Sequence, residues 1–384
     1  MKYNFDEIVD RSGSNCLKWD LAEEGVLPLW VADMDFKAAP CILSSLQKRL
    51  DHGIFGYTIP PQRYFDAVIN WFGRRHGLEV RKEWMLQTPG VLPGVSASIK
   101  AVSNPGDKVL ILPPVYNHFY CSIRHCNCVA CESNLIWDGH SFTVDWEDFE
   151  AKAADPAVKA YILCNPHNPA GRVWTKEELL KMGEICLKHN VFVISDEIHC
   201  EIVSPGFKYI PFASLSEDFR MHSSTCCSPT KGFNIAGIHA SNVFVANPAI
   251  REKVAEAIEN SEANGLSAFA VEALIAAYEE GEEWLTEMNS YVYDNYLYLK
   301  QTLAAECPAI KVAELEGTYL AWLDCSAVTS DADVLSKTMR DEGKVWFCEG
   351  SIYGEAGRCF LRVNLATPRA ILEEGLKRAI PYLR

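Results

Sequence analysis

No run of about eighteen consecutive apolar residues, the length that spans a bilayer as a helix, occurs in this 384-residue chain. The opening residues MKYNFDEIVDRSG carry no apolar signal core either, so a cytoplasmic protein is expected. Basic residues are scarce: 36 Lys and Arg against 51 Asp and Glu give a formal net charge of −15. That balance argues against a general nucleic-acid or anionic-membrane surface. Repeats, low-complexity tracts and a Gly/Ser linker are all missing. So is a completed metal motif. Within YCSIRHCNCVACES (Tyr120 to Ser133), Cys128 and Cys131 have C-x-x-C spacing, with Cys121, His125 and Cys126 close by. No second C-x-x-C or histidine pair completes a zinc site, and no metal is expected. The alternation Cys126, Cys128, Ala130 also fits one face of a strand. The fifteen cysteines are otherwise scattered, several in apolar runs such as YILCNP and VWFCEG. They read as small buried hydrophobes in a reducing compartment.

One further absence is local. Between Arg220 and Arg251 the chain holds a single charged residue, Lys231, in CSPTKGFNIAG. A loop lysine that snorkels to water is one reading. The other is an amine in a dry pocket, where loss of charge makes it a nucleophile or a Schiff-base partner.

What is present is ordinary for a globular protein: 48% apolar and 23% charged residues, in a chain long enough for about two to three domains. From Lys108 onward, short runs (KVLILPP, AYILCNP, VFVISDE, SNVFVAN) alternate with helical segments. They are too short for helices and too continuously apolar for one-sided strands, which suits a parallel sheet covered on both faces. Between two of them, TKEELLKMGEICLKHN begins with a capping box, Thr175 and Glu178, and supplies apolar positions from Leu179 to Leu187. This βαβ pattern gives an α/β fold class. Past Asn260 the pattern turns helical, through SAFAVEALIAAYEE and a segment near residues 282–305. A second α+β region follows, with strands TYLAWLD, VWFC and CFLRVN. The expected division is a large domain over 46–280 and a small domain from 1–45 with 281–384.

Ligands of open α/β sheets bind beyond the carboxyl ends of strands, so the residues there are the ones to inspect. Asn165 and Asn168 follow YILC in NPHNPAG, and Asp196 ends VFVISD. Gly90 and Gly94 precede and enter a helical segment in TPGVLPGVSASIKAV, a candidate phosphate-cradling helix start. Each has a plain alternative: Asp196 as a helix N-cap, Asn168 as a turn former, the glycines as a loop.

Their order, with the Ser-x-x-Lys and a late Arg-x-Asn, resembles the fold-type I pyridoxal phosphate enzymes of the aminotransferase class I/II superfamily over nearly the whole chain. WVADMDF (Trp30–Phe36), HGIFGYT (His52–Thr58), SDEIH (Ser195–His199), KGFNIAG and GTYLAWLD (Gly317–Asp324) narrow the resemblance to the MalY/PatB branch, the cystathionine β-lyase-like C–S lyases. The resemblance implies a transferase fold with a mostly parallel sheet flanked by helices, plus a smaller α+β domain. It implies pyridoxal 5′-phosphate as cofactor, with Lys231 bonded to its aldehyde and Asp196 paired with its pyridinium nitrogen. Asn168 would donate to the ring oxygen and Tyr116 would stack on the ring. Backbone N–H groups of Val91 and Leu92, with Ser228, would hold the phosphate. Arg362 would clamp the substrate carboxylate. Tyr57 would reach the phosphate of a neighbouring subunit, making a homodimer with shared sites.

Two positions depart from the wider superfamily. His199 stands where many relatives have a tyrosine three residues after the aspartate. His239 stands where many aminotransferases have a phosphate-binding arginine eight residues after the lysine. The second departure agrees with the lyase branch. The implied reaction is α,β-elimination: the freed amine of Lys231 removes the Cα proton, a β-thiolate leaves, and pyruvate and ammonia follow. An aminotransferase would use the same lysine, aspartate and arginine. A non-catalytic interaction protein on an old enzyme fold is the third reading, and loss of one of those residues would have signalled it.

Overall fold

The four short apolar runs need neighbours on both edges, and the chain supplies them in one seven-stranded sheet. This is a computed structural model that describes residues 2–384. The strands are β1 (Met85–Thr88), β2 (Lys108–Ile111), β3 (Val129–Glu132), β4 (Val158–Cys164), β5 (Phe192–Asp196), β6 (Ser223–Cys227) and β7 (Ser241–Phe244). Their spatial order is β1-β7-β6-β5-β4-β2-β3. Strands β2 to β6 pair in parallel. Alternate residues of β4 and β5 enter two separate cores. Tyr161, Leu163 and Val193 face one, and Ala160, Ile162, Cys164 and Ile194 face the other. That is why these strands read as continuously apolar.

The helix Lys176–Lys188 covers the first of these faces with Leu179, Met182, Ile185 and Cys186. Its capping box forms as the spacing predicts, with Thr175 Oγ1 accepting from Glu178 N and Glu178 Oε2 accepting from Thr175 N. The helix Val91–Val102 covers the other face, and Gly94 lets it lie close. A Cβ at Gly94 would stand 2.5 Å from Val243 Cγ2. The glycine pair therefore has two tasks: Gly90 precedes the helix and Gly94 seats it on the sheet.

SNVFVAN, expected among the parallel strands, runs antiparallel to both its neighbours. The reason lies in its connection. Residues 228–240 turn back at the carboxyl end of β6 without a crossover helix, so β7 must return in the opposite sense. Lys231 lies in that reversal, at the ligand-binding end of the sheet.

A smaller antiparallel sheet holds β8 (Lys311–Val312), β9 (Leu320–Asp324), β10 (Cys348–Glu349) and β11 (Phe360–Asn364), in the order β8-β9-β11-β10. VWFC is split: Cys348 joins this sheet, while Val345–Trp346 pairs in parallel with Leu27–Pro28 near the N-terminus. Cys126 and Cys128 lie outside any strand, in the turn between the helix His118–His125 and β3, where Asn127 takes φ 57°. Among the described residues no helix is long and apolar enough to cross a membrane.

Candidate active site

The carboxyl ends of β4, β5 and β6 open into a cavity of about 460 Å³. A larger cleft of about 640 Å³, bordered by Lys100, Lys159, His222 and Lys253, lies at the opposite, amino ends of these strands. The strand-end rule favours the smaller cavity, and so does its chemistry. Lys231, Tyr116, Asp196, Val91, Leu92, Asn168, His199 and Arg362 all line it.

Lys231 projects from the 228–240 reversal, and its Nζ donates to the Ala32 carbonyl. The Tyr319 hydroxyl donates to the same oxygen at 2.9 Å. Enclosure by protein lowers the Lys231 amine from the ordinary lysine range to about 8, with Arg362 acting in the same direction and Asp33 and Asp196 opposing. An amine so poised is available unprotonated near neutral pH. Lys231 is half-buried, with its amine at the cavity wall.

Asp196 ends β5 fully enclosed. One carboxylate oxygen accepts from Ile198 N at 3.1 Å, and among the described residues no donor reaches the other. Burial pushes its carboxyl up to about 7, and the neighbouring Glu197 adds to the rise. A buried carboxylate with a single hydrogen bond is costly until a cation or N–H meets it.

Arg362, on β11, donates from Nη1 to Asn168 Oδ1 at 3.1 Å and from Nη2 to the Trp30 carbonyl at 2.9 Å. Its guanidinium carbon lies 4.9 Å over the Tyr353 ring, and its Nε is buried without a partner. The small sheet and the β4 loop thus meet through one guanidinium at the cavity wall. His199 keeps Nδ1 buried and unpartnered, and its ring centroid lies 6.0 Å from that of Tyr319. Burial, with Lys231 and Arg362 nearby, pulls His199 down to about 3, so it is a neutral imidazole. Burial likewise pushes the Tyr116 hydroxyl up to about 12, so it stays a neutral phenol against the cavity.

Val91 and Leu92 are the first two residues of their helix, where backbone N–H groups have no intrahelical acceptor. Ser228 is buried behind this wall: its hydroxyl donates to the Ala240 carbonyl and contacts Thr230 Oγ1 at 2.6 Å. Thr230 lines the cavity; Ser228 does not. Tyr57 is fully exposed and lies outside the cavity of its own chain. His239 borders the cavity with φ 59°.

Sequence reasoning missed Tyr319, Thr230 and the backbone carbonyls of Trp30 and Ala32 as partners of Arg362 and Lys231. The first two lie inside quoted motifs, GTYLAWLD and CSPTKGFNIAG, and a polar residue beside a strand or catalytic lysine was the available signal. The backbone carbonyls carry no residue-type signal.

This donor set fits a group bearing an aldehyde, a basic ring nitrogen and a phosphate. The unpartnered side of Asp196, the free N–H groups at Val91 and Leu92, and the poised Lys231 amine are each left short of a partner that such a group supplies.

Residues 24–378 match the family model described as aminotransferase class I and II. Cystathionine beta-lyase PatB of Bacillus subtilis is 44% identical over 381 residues, covering 98% of each chain. Protein MalY of Escherichia coli is 34% identical over 391 residues, covering 100% of this chain and 99% of its own. The crystal structure of the PLP-bound C–S lyase from Staphylococcus hominis superposes with a TM-score of 0.93 at 32% identity, covering 99% of this chain and 98% of that one.

Proposed function

Because the chain belongs to the aminotransferase class I and II family, in the branch of PatB and MalY, we propose that it is a pyridoxal 5′-phosphate-dependent carbon–sulfur β-lyase. Its substrates are cystathionine or related S-substituted cysteines, and with one water each gives a thiol, pyruvate and ammonia. The observation that carries this reading is the convergence of Lys231, Asp196 and Arg362 on one cavity at the strand ends.

When bound, the cofactor supplies an electron sink for the pair released at Cα. The chain's own residues do the rest. Lys231 Nζ, lowered to about 8, takes the Cα proton and can return it as ammonium. Asp196 would hold the proton of the ring nitrogen, and that hydrogen bond would offset the cost of its buried charge. Val91 and Leu92 N–H groups would hold the phosphate, and the Ser228 hydroxyl, whose proton goes to the Ala240 carbonyl in the ligand-free chain, would turn to join them. Tyr116 would pack on the ring, and Asn168, kept in place by Arg362, would meet its oxygen. Arg362 binds the substrate carboxylate, for which Nε is still free.

The discriminating experiment uses the pure protein with cystathionine and no keto acid. A lyase releases thiol and pyruvate in equal amounts. An aminotransferase is silent until 2-oxoglutarate is added with alanine, and that result would replace the present reading.

Arg362→Lys keeps the charge but loses the planar fork. KM for an S-substituted cysteine is expected to rise by about ten- to a hundred-fold, from about 1.5–3 kcal/mol of lost charge-assisted bonding. The corresponding amine without a carboxylate would be turned over equally by both enzymes. Steady-state kinetics on the two substrates checks this.

We also read the protein as a cytoplasmic homodimer. All fifteen cysteines are unpaired, which supports a reducing compartment. Around Tyr57, the side chains of Ile54, Phe55 and Ile59 are exposed together, an apolar patch of the kind buried in homodimers. Tyr57→Phe is expected to weaken cofactor retention by about ten- to a hundred-fold while leaving the fold intact, if its hydroxyl serves the neighbour's phosphate. Equilibrium dialysis of the cofactor measures it, and unchanged retention would remove Tyr57 from the shared site. The division into 46–280 and 1–45 with 281–384 is supported by the two sheets, whose strands fall within 85–244 and 311–364. The pairing of Leu27–Pro28 with Val345–Trp346 supports it too.

A further inference from the structure

The segment Trp30–Phe36 has no regular secondary structure, yet side chains hold almost all of its carbonyls. Trp30 O accepts from Arg362 and Val31 O from Asn364. Ala32 O accepts from Lys231 and Tyr319, and Asp33 O from Asn364 at 2.6 Å. Met34 O and Phe36 O both accept from Asn234 Nδ2. Arg362 and Asn364 lie in β11, Tyr319 just before β9, and Lys231 and Asn234 in the 228–240 reversal, so the segment is a strap tied across the cavity wall at the reactive lysine.

The underside of the strap is ionic. Asp35 is buried and binds Lys18 at 2.6 Å, Arg11 at 2.7 Å and Trp19 Nε1 at 2.9 Å. Burial opposes its charge, but Lys18, Trp19 and Arg11 together hold its carboxyl below the ordinary range. Lys18 itself is 0% exposed. A second carboxylate, Asp33, binds the same Arg11 at 2.5 Å through one oxygen, while its other oxygen is buried without a partner. Fixing two carboxylates with a shared guanidinium and a fully buried ammonium is expensive unless the geometry matters.

We propose that Asp33 and Arg11 are positioning residues for Lys231: the strap fixes the amine through Ala32 O, and the Arg11-clamped Asp33 carboxylate is the charge that tunes its protonation. The inference rests on the reading of Lys231 as the reactive amine. The charged groups around that amine are Asp33 from the strap, Asp196 from β5 and Arg362 from β11; His199 and Tyr116 share its cavity uncharged, and the Tyr319 hydroxyl shares its Ala32 acceptor. Asp33 directly follows Ala32, whose carbonyl holds the amine, and one of its carboxylate oxygens is buried with no partner. Asp33 favours the ammonium, and Arg11 moderates it. Removing the carboxylate lowers the amine's proton affinity, and removing the guanidinium raises it. A merely structural strap would not produce opposite shifts.

The test needs no turnover. Full-length protein freed of cofactor is acetylated competitively with acetic anhydride between about pH 6 and 10, and the Lys231 peptide is quantified by mass spectrometry. Relative to the unsubstituted chain, Asp33→Asn is expected to move the labelling midpoint down by about half to one pH unit, and Arg11→Gln to move it up. Asp33→Glu, which keeps the charge, restores the original midpoint. Thermal unfolding of each variant confirms the fold. If Asp33→Asn does not fold, the upward shift in Arg11→Gln with retention in Asp33→Glu carries the test. Coincident midpoints in folded variants, or shifts of the same sign, overturn the proposal. A Lys231 midpoint in the ordinary lysine range in the unsubstituted chain is a separate failure, that of the reactive-amine reading.

Discussion

Lys231→Ala is expected to lower turnover of an S-substituted cysteine by about 10⁴-fold or more. A positioned base alone contributes about 10²–10⁴, and the substitution also removes covalent attachment of the cofactor. At about 1.4 kcal/mol per tenfold, that is at least about 5–6 kcal/mol of barrier. The cofactor should still bind through its phosphate, because the backbone N–H groups of Val91 and Leu92 lie on another segment and are untouched. Lys231→Arg separates charge from reactivity: it keeps a cation facing Asp33 and Asp196 but offers no amine to give up a proton. Both variants are therefore inactive on this account. A Lys231→Ala enzyme within tenfold of the unsubstituted rate would remove the lysine from the chemistry.

Asp196→Asn is expected to cost about 10²–10³ in turnover, the scale found when a charge-stabilising group is removed from an active site. It has a second, opposite effect that separates function from fold. Without cofactor, the buried Asp196 carboxyl titrates at about 7, raised above its ordinary value chiefly by burial. A raised acid favours the protonated form, so its stabilising contribution is complete below the ordinary carboxylate range and is lost as pH climbs to about 7. Lys231 acts in the reverse sense: its amine is held down at about 8, so its ammonium burdens the fold as pH falls through that value. The attraction between the two offsets part of both costs. Cofactor-free Asp196→Asn should accordingly be more stable to heat than the unsubstituted chain near pH 8, by about 1–3 kcal/mol, with little difference near pH 4. Adding cofactor should reverse the order near pH 8, since only the carboxylate rewards a protonated ring nitrogen. Calorimetry at the two pH values, with and without cofactor, reads all of this. A destabilised cofactor-free variant near pH 8 would mean that Asp196 is a structural anchor.

The parts legible in sequence are those where residue type and spacing carry the physics. VKAYILC reads as a two-sided strand because alternate residues enter two cores, and it is one. The Thr175–Glu178 box marks a helix start because the side chains themselves make the bonds. Lys231 stood out because no other charge shares its stretch. What escaped depends on direction, on small polar packing, or on the backbone. SNVFVAN gave no sign of running antiparallel, since its direction follows from the 228–240 reversal and not from its own side chains. SSTCC has no apolar run to mark it as a strand, yet Ser223–Cys227 is one and is entirely buried, with Ser224 Oγ donating to Ser98 Oγ at 3.0 Å. The tie from Lys231 to Ala32 O joins residues 199 apart through an atom every residue possesses, so no pattern of residue types could announce it.

The most direct measurement is the site of cofactor attachment. Purified protein incubated with pyridoxal 5′-phosphate is reduced with borohydride, digested, and mapped by mass spectrometry. One cofactor per chain is expected, fixed to the peptide containing Lys231, and none in Lys231→Ala. Label on any other lysine, or protein that takes up no cofactor, would contradict it.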